Sequence, residues 1–431
     1  MKKIVSLLLT FAMLALTVSG CGGSPAPSTS TTESTGEPVT IKFANYAVLE
    51  EGNREFWENV KTNFEKENPD ITIEWVSAPF GELLQQVINM AGGGERVDLI
   101  FGELDWIPSL VDSGLICPVS DVLTEEYLSD FYPNVLDAHT MDGEVYAVPM
   151  YVGPYILYYN ADLFEQAGLD PNAPPTTYDE MLVAAEKLSQ LTDSEGNPVY
   201  AFGQSTASVA VTGASLMSMV YNFGGQILDE NGALSIDNQG FKDACNMLKT
   251  LHEKGYNPPN AKLKDLRNLF ALGRLAMYYD QSWGFAGIEP INPDSVNFTM
   301  TAMPLAGGEG TGESLIQSHC LMTVDNGDAK NEAVRKLIEY IITNDCLSDR
   351  MSNETLAFPV KEEMADAIEG SAILQGAKDA VTVAKGYTLI PQTSDLYLEL
   401  CTLAQNITIG GQDVDSAIQN FKTNAEAILN G

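Results

Sequence analysis

The sequence predicts a two-lobed α/β fold, each lobe a mixed β-sheet flanked by helices, with a cleft between the lobes. Three observations carry the prediction. Residues 39–101 alternate strand, helix, strand, helix, strand, with connections suited to right-handed crossovers. Residues 143–168, GEVYAVPMYVGPYILYYNADLFEQAG, change abruptly from strand-like sequence to helical spacing at Asn160, after a bend set by Pro149 and the pair Gly153-Pro154. Strand-like runs at 296–303 and 315–324 flank Pro304-Leu305-Ala306-Gly307-Gly308 and provide a second crossing. A chain that leaves a lobe and re-enters it builds interwoven lobes. We expect 39–148 with 315–370 in the first, and 149–314 with 371–431 in the second. The 431 residues, 45% of them hydrophobic, suffice for two cores.

The N-terminus reads as a leader. Lys2-Lys3 is a basic start, residues 4–18 are apolar apart from small polar residues, and Val18-Ser19-Gly20-Cys21 fits a lipobox. The expectation is a lipoprotein signal peptide over 1–20, with acylation of Cys21. The apolar run is short for a full membrane span. Residues 21–38 are rich in Ser, Thr and Pro, cannot pack a core, and read as a tether.

The folded body starts with a strand at 39–47. A helix at 55–67 spaces Phe56, Val60 and Phe64 on one face and stops at Asn68-Pro69. A strand at 71–76 and a helix at 80–91 follow, ended by three glycines. Residues 97–101 (VDLIF) are almost continuously apolar, as a buried parallel strand requires. An acidic helix is expected over 121–138. After Gly168, a helix capped by Thr176 or Thr177, with Glu180 in capping-box position, carries Met181, Ala184, Ala185 and Leu188. Further elements are a strand at 200–202, helices at 209–222 and 241–253, and a buried strand at 275–279. A helix at 331–342 and a mostly helical remainder from 361, ending in one at 414–429, complete the chain.

In open α/β sheets, ligands bind beyond the C-terminal ends of the strands. Tyr46 ends the first strand, and the loop Gly102-Glu103-Leu104-Asp105-Trp106 follows the third. Two aromatics and two carboxylates on one edge suit recognition. The other reading packs Trp106 under the next helix and leaves the acids as solvated caps. Asp280-Gln281-Ser282-Trp283-Gly284 follows the strand at 275–279. Trp283 either faces the same cleft or anchors a core, and Ser282 is placed to cap another helix.

Composition narrows the function. Lys and Arg total 23 against 59 Asp and Glu, a formal net charge of -36. That disfavours nucleic acid and polyanionic substrates. No GxGxxG follows the first strand, the glycines at 92–94 lack a phosphate loop's spacing and lysine, and HExxH and GxSxG are missing. The turns at 193–197 and 229–232 lack a full calcium-loop register. We therefore expect no catalytic residues, no metal and no cofactor. Cys117, Cys245, Cys320, Cys346 and Cys401 have no metal-ligand spacing and read mostly as buried thiols, with a disulfide as the alternative.

These pieces resemble the extracellular solute-binding proteins of the sugar type (maltose-binding-protein-like), the capture components of ABC importers. Residues 143–170 are similar to the family's central signature, followed by PPTTYDEMLVAAEKL at 174–188. LFALGRLAMYYDQSW at 269–283 resembles the second signature, and AMPLAG at 302–307 the crossing after it. The resemblance spans roughly 39–430 and weakens in the C-terminal third. It implies the periplasmic-binding-protein-like fold (type II) and a monomer that binds a mono- or oligosaccharide. It also implies membrane permease subunits as partners, and a lipid anchor to the outer face of the cytoplasmic membrane in the bacterial cell envelope. Asp105 resembles the acid that accepts sugar hydroxyl bonds, and Trp283 the stacking tryptophan. Tyr46, Glu103, Trp106, Tyr151, Tyr155 and Asp280 fall in equivalent loops. Gly102 stands where the maltose-specific pattern has a tryptophan, which argues against maltodextrin. The competing ligand is a polyamine or another non-sugar solute, held by acids and an aromatic cage. A phosphate ester lacks Arg or Lys in these loops. A glycosidase using Glu103 and Asp105 is a weaker reading.

Overall fold

The computed structural model describes residues 38–431, so the leader, Cys21 and the tether up to residue 37 lie outside the described residues. The first sheet runs in the order Ile71–Val76, Val39–Asn45, Leu99–Glu103, Ser318–Thr323, Val148–Val152. Val39–Asn45 pairs parallel with both neighbours. Ser318–Thr323 pairs antiparallel with Leu99–Glu103 and Val148–Val152, which makes the sheet mixed. The edge strand Ile71–Val76 begins with buried and exposed residues in alternation, while Leu99–Glu103 is buried nearly throughout. This is the difference expected of a strand covered on both faces.

Helix Glu51–Glu67 starts one turn before the expected residue 55 and buries Trp57, Val60 and Phe64. Phe56, expected on that stripe, is only partly buried; Trp57 takes its place. The helix expected at 121–138 is broken. A 3-10 turn at Val119–Asp121 precedes short helices at Glu125–Leu128 and Pro133–Asp137. Pro133 opens the last of these, because proline fits the first turn of a helix and not its interior.

The second sheet runs Thr299–Ala302, Tyr155–Asn160, Leu275–Gln281, Tyr200–Gly203. Its two central strands are buried at every position. Helix Tyr178–Leu188 carries the expected cap: Thr177 accepts from the Glu180 amide, while the Glu180 carboxylate reaches back to the Thr176 amide at 2.8 Å. The C-terminal helices Thr393–Thr408 and Val414–Asn430 pack on Ala210–Asn222 and Gln239–Glu253. Residues 386–390, expected in a mostly helical region, are irregular. All five cysteines of the described residues are free thiols.

The chain links the two sheets at Gly153-Pro154 and again through residues 303–317, from Thr299–Ala302 to Ser318–Thr323. Val148–Val152 belongs to the first sheet and Tyr155–Asn160 to the second, with Gly153 and Pro154 between. The Gly153 amide donates to the Gln317 carbonyl at 2.8 Å, and Val152 exchanges backbone bonds of 3.0 and 2.7 Å with Phe358. Three passages of the chain thus meet beside residues 152 and 153.

Candidate functional site

Parallel pairing of the first and third strands brings their C-terminal ends to one edge. There Tyr46 lies 5.0 Å from Phe80, 5.3 Å from Phe101 and 5.9 Å from Trp106 between ring centroids. Phe80 stacks on Trp106 at 5.8 Å. Tyr46 and Trp106 are each only 5% exposed, whereas Phe80 is 44% exposed. Trp106 therefore serves as the floor of the patch, and Phe80 is its open ring. Gly102 has no room for a side chain. A Cβ there would fall 2.5 Å from the Trp106 ring and 2.7 Å from Met322 Cε.

Glu103 and Asp105 border this patch. Asp105 stays accessible to solvent, yet desolvation by the surrounding protein, and then the Glu103 charge, push its pKa up to about 6. A carboxylate in that state accepts hydroxyl hydrogen bonds at neutral pH and loses much of that capacity in mild acid.

The second sheet supplies the facing wall. Trp283 sits in the 3-10 turn Ser282–Gly287, directly after strand Leu275–Gln281. Its indole is half-buried and crosses to the first sheet, where it lies parallel to His319 at 5.4 Å and 7°. Gly153 makes room for it, since a Cβ there would fall 2.2 Å from Trp283 Cζ3. Asp280 is placed differently from expectation. Its carboxylate is fully buried and takes bonds of 2.6 and 2.8 Å from the Arg267 guanidinium, plus 2.8 Å from the Gln281 amide. Burial raises its pKa and the guanidinium opposes that rise. Asp280 faces protein, because the turn that carries Trp283 needs a buried anchor. The Tyr158 hydroxyl pins the same turn by donating to the Ser282 carbonyl at 2.7 Å. Ser282, expected to cap a helix, has a buried hydroxyl without a partner among the described residues.

Tyr151 and Tyr155, expected among the ligand contacts, are both fully buried on either side of Gly153. The Tyr155 hydroxyl accepts from Gln281 at 3.1 Å, and the Tyr151 hydroxyl bonds His319 Nδ1 at 2.8 Å. Two arginines lie near the expected loops, but each is matched: Arg267 by Asp280, and Arg350 by Glu354 at 3.1 Å. Neither offers an unpaired positive charge to a phosphate.

Several residues of the site have no local signal in the sequence. Tyr387 and Tyr397 meet edge-on at 5.2 Å. Burial, and then the charges of Asp105 and Glu103, hold the pKa of the Tyr387 hydroxyl well above the ordinary tyrosine value. The Tyr397 hydroxyl is buried without a partner among the described residues. Tyr387 also walls a polar cavity of about 600 Å³, lined further by Asp137, Asp142, Glu230 and Asn231. The irregular stretch 386–390 has neither helical nor strand period, so periodicity could not have found Tyr387. His319 lies in an expected strand, and only the topology sets it opposite Trp283.

Aromatic faces opposed to carboxylates, beside a place where three passages of the chain meet, suit reversible capture of a polar solute with flat apolar faces. The chain is 26% identical over 379 residues to a binding protein of Brucella abortus (strain 2308), covering 87% of this chain and 90% of that one. It is also 26% identical over 326 residues to the maltodextrin-binding protein MdxE of Bacillus subtilis (strain 168), covering 70% of each. Its fold matches the crystal structure of the cyclic alpha-maltosyl-1,6-maltose binding protein from Arthrobacter globiformis. That match has a TM-score of 0.79 at 21% identity and covers 91% of this chain and 100% of that one. The model of the bacterial extracellular solute-binding proteins matches residues 46–345, and the chain belongs to that family.

Proposed function

We propose that this protein is the extracellular carbohydrate-binding component of an ABC importer. It captures a mono- or oligosaccharide by closing its lobes and hands it to the membrane permease. The observation that carries this reading is Trp283, an indole set at the edge of the second sheet and directed at the wall that bears Glu103 and Asp105. Rings cover the C–H faces of a sugar, and carboxylates accept from its hydroxyls. The B. subtilis relative's maltodextrin ligand is in keeping with this chemistry. The bodies that move are residues 39–148 with 315–370, and 149–314 with 371–431, with strand Val148–Val152 as part of the link. The protein works as a monomer without catalytic turnover, lipidated on Cys21 and tethered at the outer face of the cytoplasmic membrane.

A polyamine would require unpaired negative charge. Glu103 already has His319 beside it at 3.5 Å, so the site offers less of that charge than the sequence suggests. A thermal-shift screen against mono- and oligosaccharides and polyamines tests the reading, because a ligand of the native state raises the melting temperature. A shift with carbohydrate alone is expected. A shift with polyamine alone overturns the carbohydrate assignment, and turnover of a glycoside overturns the non-catalytic one.

A further inference from the structure

We infer that His319 is a positioning residue of this site: its imidazole holds the Glu103 carboxylate at the cleft edge and gives Trp283 a flat partner, so one ring couples the two walls. The inference rests on the reading of Glu103 and Trp283 as ligand contacts, and assigns a role to a residue that reading leaves unused.

The backbone sets the arrangement. On strand Ser318–Thr323, His319 is the register partner of Glu103 on one side and of Tyr151 on the other. Cross-strand partners lie close enough for their side chains to interact. The register with Val148–Val152 shifts between His319 and Cys320, an irregularity that re-aims side chains locally. Every part of the imidazole then has a neighbour. Nε2 lies 3.5 Å from Glu103 Oε1, and Nδ1 lies 2.8 Å from the Tyr151 hydroxyl. Phe101 and Tyr151 stand edge-on to the ring at 5.5 and 5.2 Å. The indole of Trp283 lies over it. Behind Tyr151, Arg350 donates to the same hydroxyl at 3.4 Å, stacks over Phe56 at 4.5 Å and bonds Asn53. The chain Arg350–Tyr151–His319–Glu103 therefore runs from a buried guanidinium to a carboxylate at the cleft.

The titratable groups around the ring bear on its charge. Glu103 faces it from the third strand, with Asp105 beside Glu103 in the following turn; Tyr151 faces it from Val148–Val152, with Arg350 of the C-terminal segment beside Tyr151. Tyr46 stands beside Glu103 on the first strand, and Cys320 follows His319 in its own strand. Burial alone would discharge the imidazole. Tyr151 and Glu103 outweigh burial and push its pKa up to about 9. When protonated, the ring adds a cation–π contact to its parallel seat on the indole and an ion pair to its approach to Glu103.

The first test needs no ligand. Histidine NMR and tryptophan fluorescence are followed from pH 5 to 10.5 in the wild type, His319→Gln and Trp283→Phe. A His319 titration well above the ordinary histidine value is expected, with a matching fluorescence step that both variants lose. Titration near 6.5, or identical fluorescence profiles in wild type and His319→Gln, overturns the inference. The second test measures maltotriose affinity by calorimetry. His319→Gln keeps a donor but loses the flat ring, and His319→Phe keeps the ring but loses the donor. Each is expected to weaken binding about 5- to 10-fold with the fold intact, and wild-type affinity in both overturns the inference. If the wild type itself ignores maltotriose, the choice of sugar fails while the ligand-free test still decides the role of His319.

Discussion

Trp283 is held by its position rather than by burial. The turn beneath it is anchored by Asp280 and Arg267, and its ring meets Gly153 and His319 across the crossing. Removing the indole should leave both sheets in place. An aromatic stacking contact contributes about 0.5–1.5 kcal/mol beyond its area, and a tenfold change in affinity is about 1.4 kcal/mol. Trp283→Ala is therefore expected to weaken carbohydrate binding roughly tenfold or more by calorimetry, with an unchanged far-UV spectrum. Unchanged affinity would remove Trp283 from the site. Asp105 gives a prediction with two signs. Its folded pKa of about 6 exceeds the ordinary 3.8, so between those values the native state holds the extra proton. Stability from this group is present in acid and is lost as pH rises from about 4 through 6. Affinity runs the other way, since only the ionised form accepts fully, and it should fall as pH drops through 6. Asp105→Asn should raise the melting temperature at pH 7, show no such gain at pH 3.5, and flatten the pH dependence of binding. A lower melting temperature at pH 7 would show that the charged form is stabilised instead.

At the scale of elements, the crossing strand Tyr155–Asn160 hands over to helix Ala161–Gln166 through one side chain. Asn160 is 2% exposed, and its Oδ1 accepts from the Leu163 amide at 3.0 Å. Loss of such a cap costs about 0.5–2 kcal/mol. Asn160→Ala is expected to lower the unfolding free energy by that amount, read as a lower denaturant midpoint at unchanged slope, while the folded fraction binds ligand with wild-type affinity. A neutral effect on the midpoint would show that the strand, not the cap, starts the helix. This handover was legible in the sequence because the change of period and the capping residue coincide at Asn160. The same holds for the Thr177 and Glu180 cap and for the apolar run 97–101. What failed was local breakage and distant pairing. Pro133 splits an acidic segment whose composition alone favours one helix. Asp280 read as a cleft acid because nothing near it in sequence announces Arg267, thirteen residues earlier, as its buried partner. Tyr387 and His319 acquire their place only when separate chain passages fold together, and no window of sequence contains that information.

For the whole molecule, the question is what permits the lobes to meet. The three passages converge at residues 152 and 153, through the bonds of Gly153 to Gln317 and of Val152 to Phe358. We expect closure to rotate one sheet against the other near this bundle, where the link through Gly153 and Pro154 and the link through residues 303–317 run side by side. Trp283 comes to rest on the bare backbone of Gly153, so the glycine is needed for the absence of a side chain, not for its torsion freedom. A methyl group at 153 would meet the indole at 2.2 Å, well inside contact distance. The indole is rigid and already bounded by His319, so either Trp283 leaves its seat or the lobes stay apart. Overpacking of this kind costs roughly 1–3 kcal/mol. The Gly153→Ala protein should fold, bind carbohydrate at least tenfold more weakly, and show less contraction of its radius of gyration on saturation in small-angle scattering. Adding Trp283→Ala should relieve the clash and restore contraction without restoring affinity. If Gly153→Ala contracts and binds like the wild type, the indole has another seat in the closed form, and the crossing is not where the walls meet.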